Sequence, residues 1–163
     1  MKTKTLLTFA QRAAFVLLAL STLKPHPSTL FAATNIWTGL GGDNFWMTAA
    51  NWNNNTLPTG GNDLLFPSGA ARLTNTNNFS AGTIFNSINI SGTNYWLYGS
   101  NILLNAGINA VNAGAQNFFF TPITLNSNQT ITTGNPGFNL YFYGAIDLNG
   151  KDLTFAGSGF VQG

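Results

Sequence analysis

Acids, bases and thiols are scarce in this sequence. After residue 33 it holds no Glu, His or Cys, and its charged residues are Arg72, Lys151, Asp43, Asp63, Asp147 and Asp152. Glycoside hydrolysis requires two carboxylates about 5 to 9.5 Å apart, and only Asp147 and Asp152 lie close together along the chain. Without a His, the abundant Ser and Thr hydroxyls have no base to activate them as nucleophiles. We therefore expect no catalytic site, no cofactor and no metal site, with the aspartates at surface and turn positions.

Aromatic side chains are the remaining candidates for ligand binding, because a flat ring can stack against a sugar. Three tryptophans fall within residues 36–66, and further aromatic residues lie in short runs downstream. The predicted stacking residues are Trp37, Trp46, Trp52, Trp96, Tyr98, Tyr141 and Tyr143. For the first three, the leading interpretation is a structural cap that covers the first unit of a repeat structure, and a stacking surface is the alternative.

The distribution of charge excludes nucleic acid as a partner. Four of the six Lys and Arg residues lie within the first 24 residues, so the formal charge of +2 becomes −2 from Thr34 onward. Nucleic-acid binding requires clustered Lys and Arg residues that displace counterions from the phosphates. The two remaining basic residues, Arg72 and Lys151, are far apart in the sequence.

The first 33 residues have the composition of a secretory signal peptide. Residues 1–12 are basic, residues 13–23 are apolar, and the small residues Ala32 and Ala33 follow, which is the order of such signals. The apolar run has 11 residues, whereas a membrane-spanning helix needs about 20. We expect cleavage after Ala33, with Ala32 as the alternative, export to the cell surface or extracellular space of a bacterium, and no membrane span in the mature chain.

The mature chain consists of short strand-like runs that repeat. No window after residue 33 has helical spacing of apolar residues, whereas alternating runs recur between Gly, Asn, Ser and Pro. Three kinds of run return in a fixed order every 21 to 23 residues. The first kind is Trp96-Leu97-Tyr98, Phe118-Phe119-Phe120 and Tyr141-Phe142-Tyr143; the second is Ile102-Leu103-Leu104, Ile123-Thr124-Leu125 and Ile146-Asp147-Leu148; the third is Ile108-Asn109-Ala110, Thr130-Ile131-Thr132 and Leu153-Thr154-Phe155.

Three strands per turn predict an all-β fold, a parallel β-helix or β-solenoid. In the third kind of run the middle residues Asn109, Ile131 and Thr154 are predicted to lie opposite one another. Residues 34–80 are predicted to form a Trp-rich N-terminal cap region, and residues 81–163 the β-helix repeats.

An asparagine follows every run of the second kind. These residues are Asn105, Asn126 and Asn149. Asn tolerates the left-handed backbone conformation of a tight corner, and stacked Asn side chains can hydrogen-bond from one turn to the next. We predict an asparagine ladder along one corner of the solenoid.

Several segments together resemble the autotransporter-associated β-strand repeat proteins, which are large surface or secreted bacterial proteins. The segments are Ile36-Trp37-Thr38-Gly39, Asn51-Trp52, Ala71-Arg72-Leu73-Thr74-Asn75, Phe85-Asn86-Ser87-Ile88 and Gly144-Ala145-Ile146-Asp147-Leu148-Asn149-Gly150. The resemblance implies a right-handed parallel β-helix passenger with a role in display or adhesion, often followed by a translocating β-barrel. No such barrel lies within these 163 residues.

We therefore expect a structural or adhesive stalk segment whose partner is a host or environmental polysaccharide or surface. The alternatives are a carbohydrate-binding module that uses outward aromatic residues and a polysaccharide-degrading β-helix enzyme. In the last turn, the runs around Phe142, Leu148 and Phe155 are expected to have no following turn within the sequence. Unpaired strand edges are templates for further pairing, so we also expect self-association at this end.

Overall fold

The computed structural model of the chain describes residues 32–111, 116–134, 136–137 and 139–163. The chain divides into residues 1–31 and residues 32–163, so the predicted signal peptide lies outside the described residues except for Ala32 and Ala33. Within the described ranges no helix is long and apolar enough to cross a membrane. Two single-turn 3-10 helices, Ala49–Asn51 and Asn53–Asn55, are the helices found there.

Short strands of alternating residues form three parallel sheets. The strands are β1 Thr34–Ile36, β2 Asp63–Phe66, β3 Thr74–Asn77, β4 Thr83–Phe85, β5 Ile88–Ile90, β6 Trp96–Gly99, β7 Ile102–Leu104, β8 Ile108–Ala110, β9 Gln116–Phe119, β10 Ile123–Leu125, β11 Gln129–Thr133, β12 Asn139–Phe142, β13 Ile146–Asp147, β14 Leu153–Gly157 and β15 Phe160–Gln162. Sheet 1 has the order β1-β2-β5-β8-β11-β14, sheet 2 has β3-β6-β9-β12-β15, and sheet 3 has β4-β7-β10-β13.

This arrangement confirms the predicted all-β fold, a parallel β-helix of about four turns. From β3 to β14 each of four turns contributes one strand to each sheet, and each strand pairs in parallel with the equivalent strand of the next turn. The strands β1, β2 and β3 lie within residues 34–80 and belong to the same sheets as the later strands. The solenoid therefore begins inside the region that the sequence predicted as a cap.

Runs of the first and second kinds pair in the predicted register. In sheet 2, Phe119 lies opposite Leu97 and Phe142. In sheet 3, the first residues of β7, β10 and β13 lie opposite one another. The repeat spacing thus predicted both registers correctly.

The predicted register of the third kind of run is wrong by one residue. Ile131 lies opposite Ile108 and Phe155, and not opposite Asn109 and Thr154. Because side chains alternate between the two faces of a strand, the predicted register would have placed Ile131 on the outward side. In the observed register Ile131 is buried.

The one-residue shift arises at the corner between sheets 3 and 1. Leu104 and Leu125 lie opposite each other, as do Ile108 and Ile131. Three residues separate Leu104 from Ile108, whereas five separate Leu125 from Ile131. Residues 104 and 125 are 21 apart and residues 108 and 131 are 23 apart, so the longer corner moves the following strand forward by two residues. The predicted spacing of 22 accounted for one of these two residues.

The last turn is extended in sheet 2. The strand β15 pairs in parallel with β12, and Leu140 lies opposite Val161. The expectation that the run around Phe142 has no following strand is therefore wrong, because residues 160–162 begin a further turn. The runs around Leu148 and Phe155 have no later strand paired with them in the described residues.

The cap is built from three tryptophans that lie inside the fold. Trp37, Trp46 and Trp52 have at most 1% of their surface exposed. Trp52 packs edge-on against both other indoles, with centroid distances of 5.2 and 6.1 Å. Trp46 also contacts Phe66 and Phe85, which are inward residues of the first turn. The rings therefore continue the hydrophobic core beyond the first turn, as a solenoid cap must.

Every indole N–H of the cap has a partner. Trp37 donates to the carbonyl oxygen of Arg72, Trp46 to Oδ1 of Asn75, and Trp52 to the carbonyl oxygen of Trp46, each at 2.7 Å. The alternative interpretation of these three tryptophans as a ligand-stacking surface is wrong, because their rings and their polar groups are used within the core. Their burial fits the structural cap that the sequence favours.

The asparagine corner forms a ladder over one step. Nδ2 of Asn126 donates to Oδ1 of Asn105 at 2.8 Å. Asn149 differs, because its Nδ2 donates to the carbonyl oxygen of Leu125 at 3.2 Å. Asn149 has a φ of 49° in a tight turn closed by the Lys151 N–H and the Leu148 carbonyl, which directs its amide to the backbone of the turn below.

Candidate functional site

Sheet 2 presents six aromatic rings on its outward side. Two rings come from each of three successive strands, β6, β9 and the β12 segment: Trp96, Tyr98, Phe118, Phe120, Tyr141 and Tyr143. We call this surface the aromatic face. Period-two alternation directs Leu97, Phe119 and Phe142 inward, where they are buried, so their neighbours in sequence must lie on the outer side.

The rings form two columns along the solenoid. In the first column the centroids of Trp96 and Phe118 lie 4.3 Å apart, and those of Phe118 and Tyr141 lie 5.3 Å apart. In the second column the corresponding distances are 4.5 Å from Tyr98 to Phe120 and 4.8 Å from Phe120 to Tyr143. Parallel strands in register are about 4.8 Å apart, so the backbone pairing sets these distances.

The columns are offset stacks that leave ring edges toward solvent. The planes of stacked neighbours differ by only 10° to 31°. Rings lying flat on the sheet would overlap at this spacing, so each ring stands against the next. Phe118 and Phe120 have a ring on both faces, whereas the four rings of the first and last rows have a ring on one face. Within a row, Trp96 and Tyr98 are 6.5 Å apart with planes at 17°, and Tyr141 and Tyr143 are 6.4 Å apart at 18°. The two columns therefore adjoin as one surface of ring edges.

The face is accessible and carries no charge. Tyr143 is 64% exposed and Trp96 is 37% exposed, while the other four rings are half-buried by their neighbours. The five strands of sheet 2 contain no Asp, Glu, Lys or Arg. Upstream, Thr74 and Thr76 occupy the two columns in β3, opposite Trp96 and Tyr98. The aromatic face thus begins sharply at β6.

Four of the seven predicted stacking residues meet on this face, namely Trp96, Tyr98, Tyr141 and Tyr143. The other three are the buried tryptophans of the cap. Phe118 and Phe120 occupy the middle row and were not predicted as site residues. The signal was available, because Phe118-Phe119-Phe120 repeats the Trp96-Leu97-Tyr98 and Tyr141-Phe142-Tyr143 pattern with the same alternation.

The aspartates have local structural partners. Asp43 accepts hydrogen bonds in the cap from the Phe45 backbone N–H, the Thr48 hydroxyl and the Asn51 amide, and these bonds, the first above all, hold the pKa of Asp43 below its ordinary value. Asp63 accepts from Asn86 and Ser87.

Two further aspartates lie in the last turn. Oδ1 of Asp147 accepts the Asn149 backbone N–H at 2.9 Å, and Asp152 exchanges two hydrogen bonds with Asn128. Among the described residues no three His, Cys, Asp or Glu side chains are grouped so as to hold a metal ion.

The aromatic face is therefore the surface with the most distinctive chemistry in the described part of the chain. Comparisons with protein-family models, with curated proteins and with solved structures found no match for this sequence.

Proposed function

We propose that this chain is a structural stalk segment with an adhesive side, in an exported bacterial β-solenoid of the autotransporter-associated repeat kind. The observation that carries the proposal is the aromatic face, which is uncharged and continuous over three turns. The leader composition supports export, and the partner in this proposal is a host or environmental surface. The segment has no catalytic role in this proposal.

The stalk role is supported by how the fold gains stability. Each turn buries inward residues such as Leu97, Phe119 and Phe142 against its neighbours. In such an array stability accumulates from each unit and its nearest neighbours, so a rod can extend without a large globular core. Aromatic pairs contribute about 0.5 to 1.5 kcal/mol beyond the area they bury, and the two outward columns add such pairs between turns.

The adhesive role is supported by the contrast between sheet 2 and the rest of the surface. Exposed apolar patches on soluble proteins mark interaction sites, whereas scattered exposed apolar residues are ordinary. Six adjoining rings form a patch on sheet 2, whereas the one aromatic ring in the strands of sheet 3, Phe85, is buried. An uncharged patch also favours contact with an apolar surface over contact with a charged one.

A carbohydrate-binding module is the second candidate, and the alignment of Trp96, Tyr98, Tyr141 and Tyr143 on one side favours it. A pyranose packs its C–H face on the flat face of an aromatic ring. The stacking within the columns covers most of these faces, which counts against this candidate and in favour of adhesion through ring edges.

An adsorption experiment with the full chain separates the two candidates. The chain is incubated with polystyrene beads and, in parallel, with insoluble cellulose and chitin. The test variant is Phe118→Thr/Phe120→Thr, because Thr already occupies both columns in β3. The control variant is Ile84→Thr, which removes an exposed apolar residue from sheet 3.

We expect the wild type and Ile84→Thr to adsorb to polystyrene, and the Phe118→Thr/Phe120→Thr variant to adsorb much less. Adsorption to cellulose or chitin but not to polystyrene would favour the carbohydrate-binding module. Equal adsorption of all three proteins to polystyrene would contradict the proposal. Turnover of a polysaccharide that disappears on Asp147→Ala or Asp152→Ala would contradict the absence of a catalytic role.

A further inference from the structure

We propose that the aromatic face binds a planar, rod-shaped aromatic molecule that lies along the solenoid axis across β6, β9 and β12. The proposal deepens the adhesive function and rests on it, since it uses the same face and names a ligand class for it. The ligand class is a rigid molecule of two or more linked aromatic rings, such as a stilbene or an aryl-benzothiazole.

The exposed ring edges select for a flat π system. An aromatic ring carries partial negative charge on its faces and partial positive charge at its edge. In the two columns the faces are directed at neighbouring rings, with interplanar angles of 10° to 31°. Between the outer faces of the first and last rows, the outward surface is a set of positive edges, which attracts the negative face of another aromatic system in an edge-to-face contact.

The same geometry disfavours two other ligand classes. A cation binds over the face of an aromatic ring, and the columns cover both faces of the middle row and one face of each ring in the outer rows. A phosphate or carboxylate needs a cationic partner, and the strands of sheet 2 contain neither Lys nor Arg. The face therefore selects for the shape and π character of a ligand, and not for its charge.

The columns set the orientation and length of the ligand. Three strands at about 4.8 Å spacing place the outer rows about 10 Å apart along the axis. Across the face, the ring centroids of Trp96 and Tyr98 are 6.5 Å apart. The face is therefore narrower across the columns than it is long along the axis. A rod that lies over the line between the columns can contact all six rings, whereas a rod lying across the columns meets only one row.

The phenols add polar contacts at the same surface. Tyr98, Tyr141 and Tyr143 bring three hydroxyl groups to the face, and a phenol hydroxyl both donates and accepts hydrogen bonds. Two of these tyrosines lie in the last row and one lies in the first. Polar groups at the ends of a rod, such as phenols or amines, would meet them.

The test uses thioflavin T, a planar aryl-benzothiazole whose fluorescence rises when its rings are immobilised. The dye is titrated into the full chain at concentrations where light scattering gives the mass of a monomer. We expect a saturable rise in fluorescence with one dye per chain. A neutral stilbene should compete with the dye, because the charge of the dye is not required.

The Phe118→Thr/Phe120→Thr variant removes the middle row and interrupts both columns. We expect it to bind the dye at least about tenfold more weakly, since it offers the dye four ring edges in place of six. Circular dichroism should show the same β content as the wild type, because Thr is the residue that β3 carries in both columns. The control variant Ile84→Thr should bind as the wild type does.

Three results would overturn the inference: no rise in fluorescence with the wild type, equal binding by the Phe118→Thr/Phe120→Thr variant, or binding of one dye per two chains, which would mean that a second copy covers the face. Failure of dye binding with adsorption to polystyrene intact would refute the ligand class and leave the adhesive function standing. Loss of both would refute both proposals.

Discussion

The hydrogen bond between the Trp46 indole and Asn75 is a sharp test of how the cap is joined to the solenoid. Asn75 is fully buried in β3 and lies in the inward column that Leu97 and Phe119 continue in the next two turns. Its Oδ1 accepts the Trp46 Nε1–H at 2.7 Å. We therefore consider the substitution Asn75→Ala, which removes the acceptor and leaves the buried indole donor without its partner.

The expected cost follows from the burial of both groups. A buried donor or acceptor left without a hydrogen bond costs about 1 to 3 kcal/mol. For a domain of this size each kcal/mol lowers Tm by roughly 3 to 5 °C, so a loss of about 2 kcal/mol corresponds to roughly 6 to 10 °C. The void left by the smaller side chain adds to the single-variant cost, so the single variant alone does not isolate the hydrogen bond.

A double-mutant cycle isolates the hydrogen bond. Trp46→Phe leaves Oδ1 of the Asn75 side chain without its donor, and Asn75→Ala leaves the Trp46 indole N–H without its acceptor. In the double variant both the donor and the acceptor are absent. We expect the free energy of unfolding of the double variant, measured by urea denaturation with circular dichroism, to be lowered by about 1 to 3 kcal/mol less than the sum of the single changes.

The control cycle combines Asn75→Ala with Ile131→Val. Ile131 lies in sheet 1, two turns further along the solenoid. These two changes should add within about 0.5 kcal/mol. If the Trp46 and Asn75 changes are also additive within that error, their hydrogen bond does not stabilise the contact between the cap and the first turn. The explanation of buried Asn75 as the acceptor for the Trp46 indole is then wrong.

Other features of the chain carry four further expectations. Gly99→Ala should lower the free energy of unfolding in urea more than Gly150→Ala does. At Gly99 (φ 114°) a Cβ atom would overlap the Asn77 carbonyl, whereas at Gly150 (φ 69°) it meets open space. Equal losses of stability would contradict this. The pKa of Asp43 is lower in the fold than its ordinary value, so the carboxylate contributes stability above that ordinary pKa and loses it as the pH falls through the pKa of the folded state. The Asp43→Asn variant should therefore lose less stability than the wild type on acidification from pH 5 to pH 2. Identical profiles of stability against pH would refute the role of the carboxylate. The outer edges of β13, β14 and β15 are unpaired in the described residues, so light scattering over a concentration series should show self-association of the chain at high concentration, and a monomer throughout would contradict it. Mass spectrometry of the exported protein should give Thr34 as its first residue, and retention of the leader would overturn the predicted cleavage.

Some registers could be predicted from the sequence because equivalent runs place their apolar residues at equivalent positions. Ile102-Leu103-Leu104 and Ile123-Thr124-Leu125 both begin and end with an apolar residue, so their inward positions align directly. The third kind of run lacks this agreement, because Ile108-Asn109-Ala110 is apolar at its ends and Thr130-Ile131-Thr132 is apolar in its middle. There the spacing alone gave the wrong register, and burial of Ile131 decides the correct one.

The first turn was not predictable from apolar patterns because its inward positions in sheet 2 are polar. The β3 sequence Thr74-Asn75-Thr76-Asn77 resembles a turn, yet Asn75 and Asn77 are buried. Their amides are satisfied by groups distant in sequence: Asn75 accepts from Trp46, and Asn77 donates to the carbonyl oxygen of Ser100 at 2.7 Å. A buried polar residue is stable only when such partners exist, and no local pattern reveals them.

The sequence by itself determined the repeat, the three strands of each turn and the side of the strand on which Trp96, Tyr98, Tyr141 and Tyr143 lie, because alternation and spacing are local properties of the chain. Only the tertiary structure decided that Trp37, Trp46 and Trp52 are buried, since their segment has no period and their surroundings come from later strands. It also decided that the outward rings stack face to face with Phe118 and Phe120 between them. That contact depends on the register and spacing of strands from different turns, and it determines which part of each ring a ligand can reach.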